Sequence, residues 1–366
     1  MRTLLSSVAL CATLPSLALA EAPRVVTDIP PVHALVAQVM QGVGEPDLLL
    51  PPGGSPHGHQ MRPSEAHTLA NGHLLFWIGG AQSPWIEEAT ETLATNIRSV
   101  PLIEVEGTHL RLGGHDHGEE GHDDHGDDHA DHAEHDDHDD NHAAHEDHDH
   151  EAKHDDDHDH EDHAEDHQDH DHEDHTGDDH DHSDGHHVGD GHVHDGIDHH
   201  AWLDPVNALI WLPEISRQLS EIDPANAATY RENTEAAMTR IKTLTGELTA
   251  RLSPLEGGFF VYHDAYGYFT DRFDLPASGA IAESDATPPG ARRIAELQAE
   301  AETADIRCLF TEPQFDTRTA DRMAATLGVQ VHTLDPVGSS MTPGPDLYDD
   351  LLLNLAKGLE ACLTPE

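Results

Sequence analysis

One tract limits what this chain can fold into, because residues 115–199 consist mainly of histidine and acidic residues. Between His115 and His200 lie 28 of the chain's 36 histidines and 36 of its 72 acidic residues, and Lys153 is the only basic side chain. Such a stretch has almost no apolar surface to bury, so it does not offset the entropy lost when a backbone is ordered. We expect the tract to be disordered without metal and to interrupt a folded chain.

The composition of this tract predicts metal binding. Imidazole is the commonest nitrogen ligand for Zn(II), Cu(II) and Ni(II), and carboxylates add oxygen ligands. The spacings His-x-His and His-x-x-His recur without the fixed geometry of a structural site, which indicates several weak, exchanging sites. The alternative is a solvated acidic linker with incidental histidines. The formal net charge of −54 excludes nucleic acid as a partner.

The N-terminus has the features of an export signal. Arg2 precedes an apolar run over residues 4–19, and Ala-Leu-Ala stands immediately before Glu21. We predict cleavage after Ala20 and an exported, soluble protein. No later stretch approaches the roughly 18 to 20 apolar residues of a membrane span, so we expect that the protein is not inserted in a membrane.

Two cysteines remain after removal of the signal, Cys308 and Cys362. An even pair in a compartment where disulfides persist predicts a bond between them. Two separate buried thiols are the alternative.

Short apolar runs alternate with helical patterns on both sides of the tract, which predicts α/β lobes with mostly parallel sheets covered by helices. A long amphipathic pattern over residues 224–252 predicts one helix that joins two such lobes. The predicted organisation is a signal peptide (1–20), an N-terminal lobe (21–114), the insertion (115–199), the end of the N-terminal lobe (200–223), the linking helix (224–252) and a C-terminal lobe (253–366).

Three histidines outside the repetitive part of the tract stand where open α/β sheets usually bind ligands. His57 follows a predicted strand at 47–50, His263 follows one at 259–262, and His200 closes the tract. Each alone would be an ordinary surface or core histidine.

The segments around these histidines carry a resemblance that covers the mature chain apart from the tract. They read Gly-Ser-x-His-x-x-x-Met-Arg-Pro, His-x-Trp-Leu-x-Pro, Val-Tyr-His-Asp-Ala-Tyr-Gly-Tyr-Phe, Cys-Leu-Phe-Thr-Glu-Pro-Gln-Phe and Thr-Leu-Asp-Pro-Val-Gly. This order resembles the periplasmic zinc-binding proteins of high-affinity zinc ABC importers, which belong to the metal-binding cluster of solute-binding proteins. The resemblance implies two lobes linked by a rigid helix, a cleft zinc site beside a His-rich insertion, and a disulfide in the C-terminal lobe.

The resemblance implies His57, His200 and His263 as ligands. Three neutral imidazoles suit Zn(II) and leave one tetrahedral position open. Manganese-binding relatives have a carboxylate in place of His263, so the nitrogen favours zinc. Some members place a Glu before the first histidine, but here that residue is Pro56. Asp335 or a water is therefore expected as the fourth ligand.

Three further residues are weaker candidates. We predict Glu312 and Asp264 as acceptors that orient a ligating imidazole, and His59 as an alternative ligand or a solvated loop residue.

The resulting prediction is a monomeric periplasmic protein that captures Zn(II) and delivers it to the membrane permease of an ABC importer. The tract would collect zinc at low affinity or sense it. Two rivals are a metal buffer in which the tract is the main activity and a zinc hydrolase, against which no general base or H-E-x-x-H helix appears. We expect no catalysis.

Overall fold

The computed structural model describes residues 22–94, 96–113, 196–275, 277–282 and 290–364. The predicted signal peptide and nearly all of the His-rich tract lie outside these residues. Within the described residues, no helix is both long and apolar enough to span a bilayer.

The first lobe is built on a parallel four-stranded sheet in the order β2-β1-β3-β4. Its strands are β1 (Val25–Thr27), β2 (Asp47–Leu48), β3 (Leu74–Trp77) and β4 (Arg98–Pro101). Its helices are α1 (Pro30–Met40), α2 (Pro63–Ala70) and α3 (Pro84–Thr92). All three helices begin with proline, which is favourable at this position because its fixed φ suits a helix and its missing N–H would have no helical partner.

The second lobe repeats this plan with a parallel sheet in the order β6-β5-β7-β8. Its strands are β5 (Gly258–His263), β6 (Gly279–Ala282), β7 (Ile306–Thr311) and β8 (Gln330–Thr333). Its helices are α6 (Gly267–Arg272), α7 (Ala291–Thr303), α8 (Arg318–Leu327) and α9 (Leu347–Leu363). A disulfide joins Cys308 of β7 to Cys362 of α9, which confirms the predicted pairing.

Two helices, α4 (Pro205–Ile222) and α5 (Ala227–Leu252), connect the sheets along the chain. The 26 residues of α5 span about 39 Å at a rise of about 1.5 Å per residue. The helix contacts α1, α4 and α9, and therefore elements of both lobes. It begins three residues later than the sequence predicted, because residues Pro224–Asn226 form a 3-10 turn.

A single hydrophobic core continues from one lobe into the other. It includes Phe76 of β3, Trp211 of α4, Ile241 of α5 and Phe310 of β7, all at least 99% buried. A smaller hydrophobic cluster covers the outer face of each of the two sheets. The lobes thus share their interior, and the long helix is part of it.

The structure departs from the predicted elements in a few short segments. The sequence pattern predicts an extended segment at residues 102–105, but Leu102–Glu104 form a 3-10 turn and the strand lies just before it as β4. Pairing between β3 and β4 ends at Trp77 and Pro101, where proline offers no N–H to continue a ladder. The helices α2 and α6 and the strand β6 were not predicted. These elements have at most eight residues, too few to establish a periodic pattern.

Candidate metal site

Three imidazoles converge between the two sheets. The Nε2 atom of His200 lies 3.4 Å from Nε2 of His57 and 3.4 Å from Nε2 of His263. One ligand nitrogen from each residue falls within 4.8 Å of the other two, and this is the metal-ligating group found among the described residues. His200 and His263 are 8% and 4% exposed, and His57 is partly buried. The three histidines predicted from separate parts of the sequence therefore share one site.

Each imidazole is positioned by the end of a regular element. His57 lies in the loop that follows β2, and His263 is the last residue of β5. His200 immediately precedes a 3-10 turn, Ala201–Leu203, that leads into α4. Because carboxyl ends of parallel strands lie at one edge of a sheet, loops from both lobes bring their side chains to a common position.

His263 is held by a buried carboxylate. Its Nδ1 lies 2.5 Å from Oε1 of Glu312, which is 1% exposed and follows β7 directly. The other carboxylate oxygen, Oε2, accepts a hydrogen bond of 2.7 Å from Gln314. The carboxylate fixes the proton on Nδ1 and leaves the Nε2 lone pair directed toward the other imidazoles.

His200 has a similar partner that the sequence did not reveal. Oδ1 of Asp198 lies 2.8 Å from Nδ1 of His200 and accepts a hydrogen bond from its backbone N–H at 2.9 Å. Oδ2 accepts from Nη1 of Arg111 at 3.2 Å. Burial by itself raises the pKa of Asp198, but the hydrogen bonds and charges of His200 and Arg111 outweigh it and hold this pKa below its ordinary value. Asp198 is therefore an ionised carboxylate that contacts Nδ1 of His200, on the side of the ring opposite Nε2.

The loop of His57 is fixed by contacts with the rest of the first lobe. The indole Nε1 of Trp85 donates to the carbonyl of Pro56 at 2.9 Å. The side chain of Gln82 approaches from the β3–α3 loop, with its Nε2 3.5 Å from Nε2 of His57. Gly53 donates its N–H to the carbonyl of Ser339 in the second lobe at 3.0 Å, so this loop also contacts the opposite side of the cleft.

The structure does not place Asp335 with the three imidazoles. Its carboxylate accepts hydrogen bonds from the turn that follows it. The donors are the backbone N–H groups of Val337, Gly338, Ser339 and Ser340 and the hydroxyls of both serines. The carboxylate thus stabilises this turn.

His59 and Asp264 are not members of the group that the three imidazoles form. Nε2 of His59 is 2.8 Å from Oε2 of Glu65, and its ring packs edge-on against Trp85 at 4.6 Å. Burial of Arg111 lowers its pKa, but the nearby carboxylates, Asp264 among them, outweigh this effect and raise the pKa above its ordinary value. Of the two carboxylates predicted to orient an imidazole, Glu312 is the one that contacts His263.

The two ends of the His-rich tract meet in a short stem next to the site. Leu112 and Ile197 form an antiparallel bridge, and the N–H of Gly113 donates to the carbonyl of Gly196 at 2.6 Å. Arg111 ties this stem to the second lobe through Asp271, whose Oδ2 lies 2.8 Å from Nε. The same arginine contacts Asp198, so the stem is directly connected to the partner of His200.

Two parallel α/β lobes with a group of ligating side chains in the cleft between them define a two-lobed solute-binding protein. Three neutral imidazoles with carboxylate partners are a donor set that suits Zn(II).

Comparison with known proteins places the chain more narrowly. The family model for the periplasmic component A of the zinc-uptake complex matches residues 25–362, and the chain belongs to this family. The high-affinity zinc uptake system protein ZnuA of Paracoccus denitrificans (strain Pd 1222) is 40% identical over 98% of both chains. ZnuA of Brucella suis biovar 1 (strain 1330) is 36% identical over 94% of this chain and 92% of that protein.

Solved structures agree at the level of the fold. A crystal structure of ZnuA matches with a TM-score of 0.65 at 20% identity, and covers 94% of this chain and 100% of that chain. A zinc-bound ZnuA deletion mutant matches with a TM-score of 0.64 at 18% identity over 94% of this chain and 99% of that one.

Proposed function

We propose that this protein captures Zn(II) in the periplasm with His57, His200 and His263 and delivers it to the membrane permease of an ABC importer. The protein acts on zinc as cargo and performs no chemistry on it. Membership of the zinc-uptake family and the names of its relatives support the choice of metal and of partner.

The spacing of the three Nε2 atoms is the observation that carries this proposal. Zn–N bonds of about 2.0–2.1 Å in a tetrahedron separate the ligand atoms by roughly 3.3–3.4 Å. Nε2 of His200 lies 3.4 Å from Nε2 of His57 and 3.4 Å from Nε2 of His263. These two separations already match a zinc site, so we expect binding to require little rearrangement.

The His-rich tract is proposed as an auxiliary low-affinity collector or sensor of zinc. Its carboxyl-terminal end leads through Asp198 directly into His200, and its stem holds both ends beside the cleft. Tethered imidazoles at this place would keep zinc at a high effective concentration near the three ligands.

Growth under zinc limitation tests delivery. A bacterial strain that lacks its own zinc-binding component and contains the matching permease should grow with this protein and fail to grow with His57→Ala. His67→Ala is the matched control, because His67 is an exposed histidine on α2 outside the group. Full growth with His57→Ala would refute the proposal.

A further inference from the structure

Gln82 is a fully buried polar residue beside the three imidazoles that no ligand motif includes. It is 0% exposed and lies between β3 and α3. Its loop is held in place on both sides. The N–H groups of Gln82 and Ser83 donate to the carbonyl of Gly79 at 3.2 and 3.0 Å, and the buried carboxylate of Asp28 accepts from the N–H of Ile78 at 2.9 Å. The position of this side chain is therefore well determined by the fold.

The amide of Gln82 is oriented toward the site in an unfavourable way. Its Nε2 faces Nε2 of His57 at 3.5 Å, while its Oε1 is buried and accepts no hydrogen bond from the described part of the chain. A buried carbonyl without a donor is unfavourable, because it has lost its hydrogen bonds to water without replacement. The nitrogen and oxygen of a glutamine amide occupy nearly the same positions after a half-turn, and their assignment follows from the hydrogen-bond network.

A cation bound by the imidazoles determines whether the nitrogen or the oxygen of the Gln82 amide faces it. When the lone pair of His57 Nε2 binds a metal ion, an NH₂ group at this place loses its acceptor and faces a positive charge. The carbonyl oxygen, turned into the same place, is a hard neutral donor attracted to the ion. Metal binding therefore favours the orientation that directs Oε1 into the site.

The distance between the Gln82 amide and Nε2 of His57 also suits a fourth ligand. The Gln82 amide is 3.5 Å from the ligating nitrogen of His57, close to the 3.4 Å that separates the imidazole nitrogens. Three imidazoles leave one tetrahedral position, for which Asp335 and a water are the other candidates. Pro56 has no side-chain donor, and the Asp335 carboxylate is engaged by its own turn.

We infer that the amide oxygen of Gln82 occupies the fourth coordination position of the ion held by His57, His200 and His263. This inference rests on the proposed function. It makes the ligand set three nitrogens and one neutral oxygen, all from the protein.

Cobalt substitution tests the fourth ligand directly, because Co(II) takes four-coordinate zinc sites and absorbs visible light. The full chain is loaded with one equivalent of Co(II) and titrated with azide, and the His263→Ala spectrum is subtracted as the contribution of the tract. A protein oxygen resists azide, whereas a water is readily displaced. We expect an unchanged spectrum for the natural protein, an azide-dependent spectrum for Gln82→Ala, and restored resistance for Gln82→Glu.

Gln38→Ala is the matched control. Gln38 is another buried glutamine whose Oε1 lacks a donor, and it lies on α1, where its Nε2 donates to Pro345. This variant should resist azide like the natural protein. Zinc affinity should fall by about 10- to 100-fold or more in Gln82→Ala, because removing a residue that only hydrogen-bonds to a metal ligand already causes a loss of this size.

Two results would overturn the inference. Azide binding to the natural protein would identify a water in the fourth position, and this arm holds even if a variant fails to fold. Equal resistance of Gln82→Ala and the natural protein would show that Gln82 does not fill the position. Failure of the proposed function looks different, because subtraction would then leave no Co(II) spectrum at all.

Discussion

Buried carboxylates behind two of the three imidazoles set the chemistry of the site. Glu312 lies 2.5 Å from Nδ1 of His263, and Asp198 lies 2.8 Å from Nδ1 of His200. A carboxylate in this position fixes the ring orientation and tautomer and increases the basicity of the metal-binding nitrogen. We therefore expect the zinc affinity of the site to depend also on residues that do not touch the ion.

Substitution of Glu312 tests this dependence. Glu312→Gln keeps the size of the side chain but removes the charge that stabilises His263 as a ligand. Zinc affinity should fall by about 10- to 100-fold, measured by competition with a chelator of known affinity.

Asp264→Asn is the control for that experiment. Asp264 is adjacent to His263 in sequence, yet Glu312 is the carboxylate that contacts the ring. The asparagine variant should lose far less affinity than Glu312→Gln. Equal losses would mean that general negative charge matters and the 2.5 Å contact does not.

The sequence predicts the histidines better than their partners. Motif positions identify His57, His200 and His263, but choosing between Asp264 and Glu312 requires knowing which side chain reaches the ring. Asp198 was missed because its Asp-x-His spacing is hidden within a tract that is full of such spacings. Asp335 is predicted as the fourth ligand with a water as the alternative, yet it begins an Asp-Pro-Val-Gly-Ser-Ser segment. That composition is typical of a turn whose first carboxylate accepts hydrogen bonds from the turn itself.

Strands place two of the three imidazoles, His57 after β2 and His263 at the end of β5, and the buried strands are predicted well from the sequence. Buried runs such as β3, β5 and β7 are apolar on both faces, as expected for parallel strands covered by helices. The short α6 was not predicted because four of its six residues are buried, which leaves no polar face to mark a helical period. Local pattern fails where tertiary packing alone determines the conformation.

The disulfide stabilises the second lobe at a distance in sequence from the ligands. Cys308 and Cys362 are 54 residues apart and join β7 to α9. Closing a loop of this length contributes about 4 kcal/mol in the chain-entropy model. Replacing both cysteines by alanine should lower the free energy of unfolding of the apo protein in denaturant by up to about that amount.

The same double variant should bind zinc almost unchanged. The bond contributes stability and supplies no ligand, so calorimetric titration at a temperature where the variant is folded should give an affinity close to that of the natural protein. A loss of zinc binding in the folded variant would show that the disulfide also positions Glu312 at the end of β7.

The two lobes are packed together as one body. They share a hydrophobic core, and charged groups also connect them across the cleft. Arg272 of α6 binds the buried carboxylate at the start of α4 through two contacts, to Oδ1 and Oδ2 of Asp204, at 2.8 and 2.6 Å. Large hinge motion would expose this core and separate these ions, so we expect zinc to bind with small local adjustments.

The stem of the tract allows a direct test of whether His57, His200 and His263, and not the tract, form the tight zinc site. Gly113 and Gly196 are hydrogen-bonded to each other, so deleting residues 115–194 removes the tract without separating the chain ends that frame the site. The measurement is calorimetric zinc titration of the mature protein, of this deletion, and of the deletion with His263→Ala. One tight site should survive the deletion and disappear with His263→Ala. Loss of all tight binding on deletion would contradict a site formed by the three histidines and make the tract the functional site.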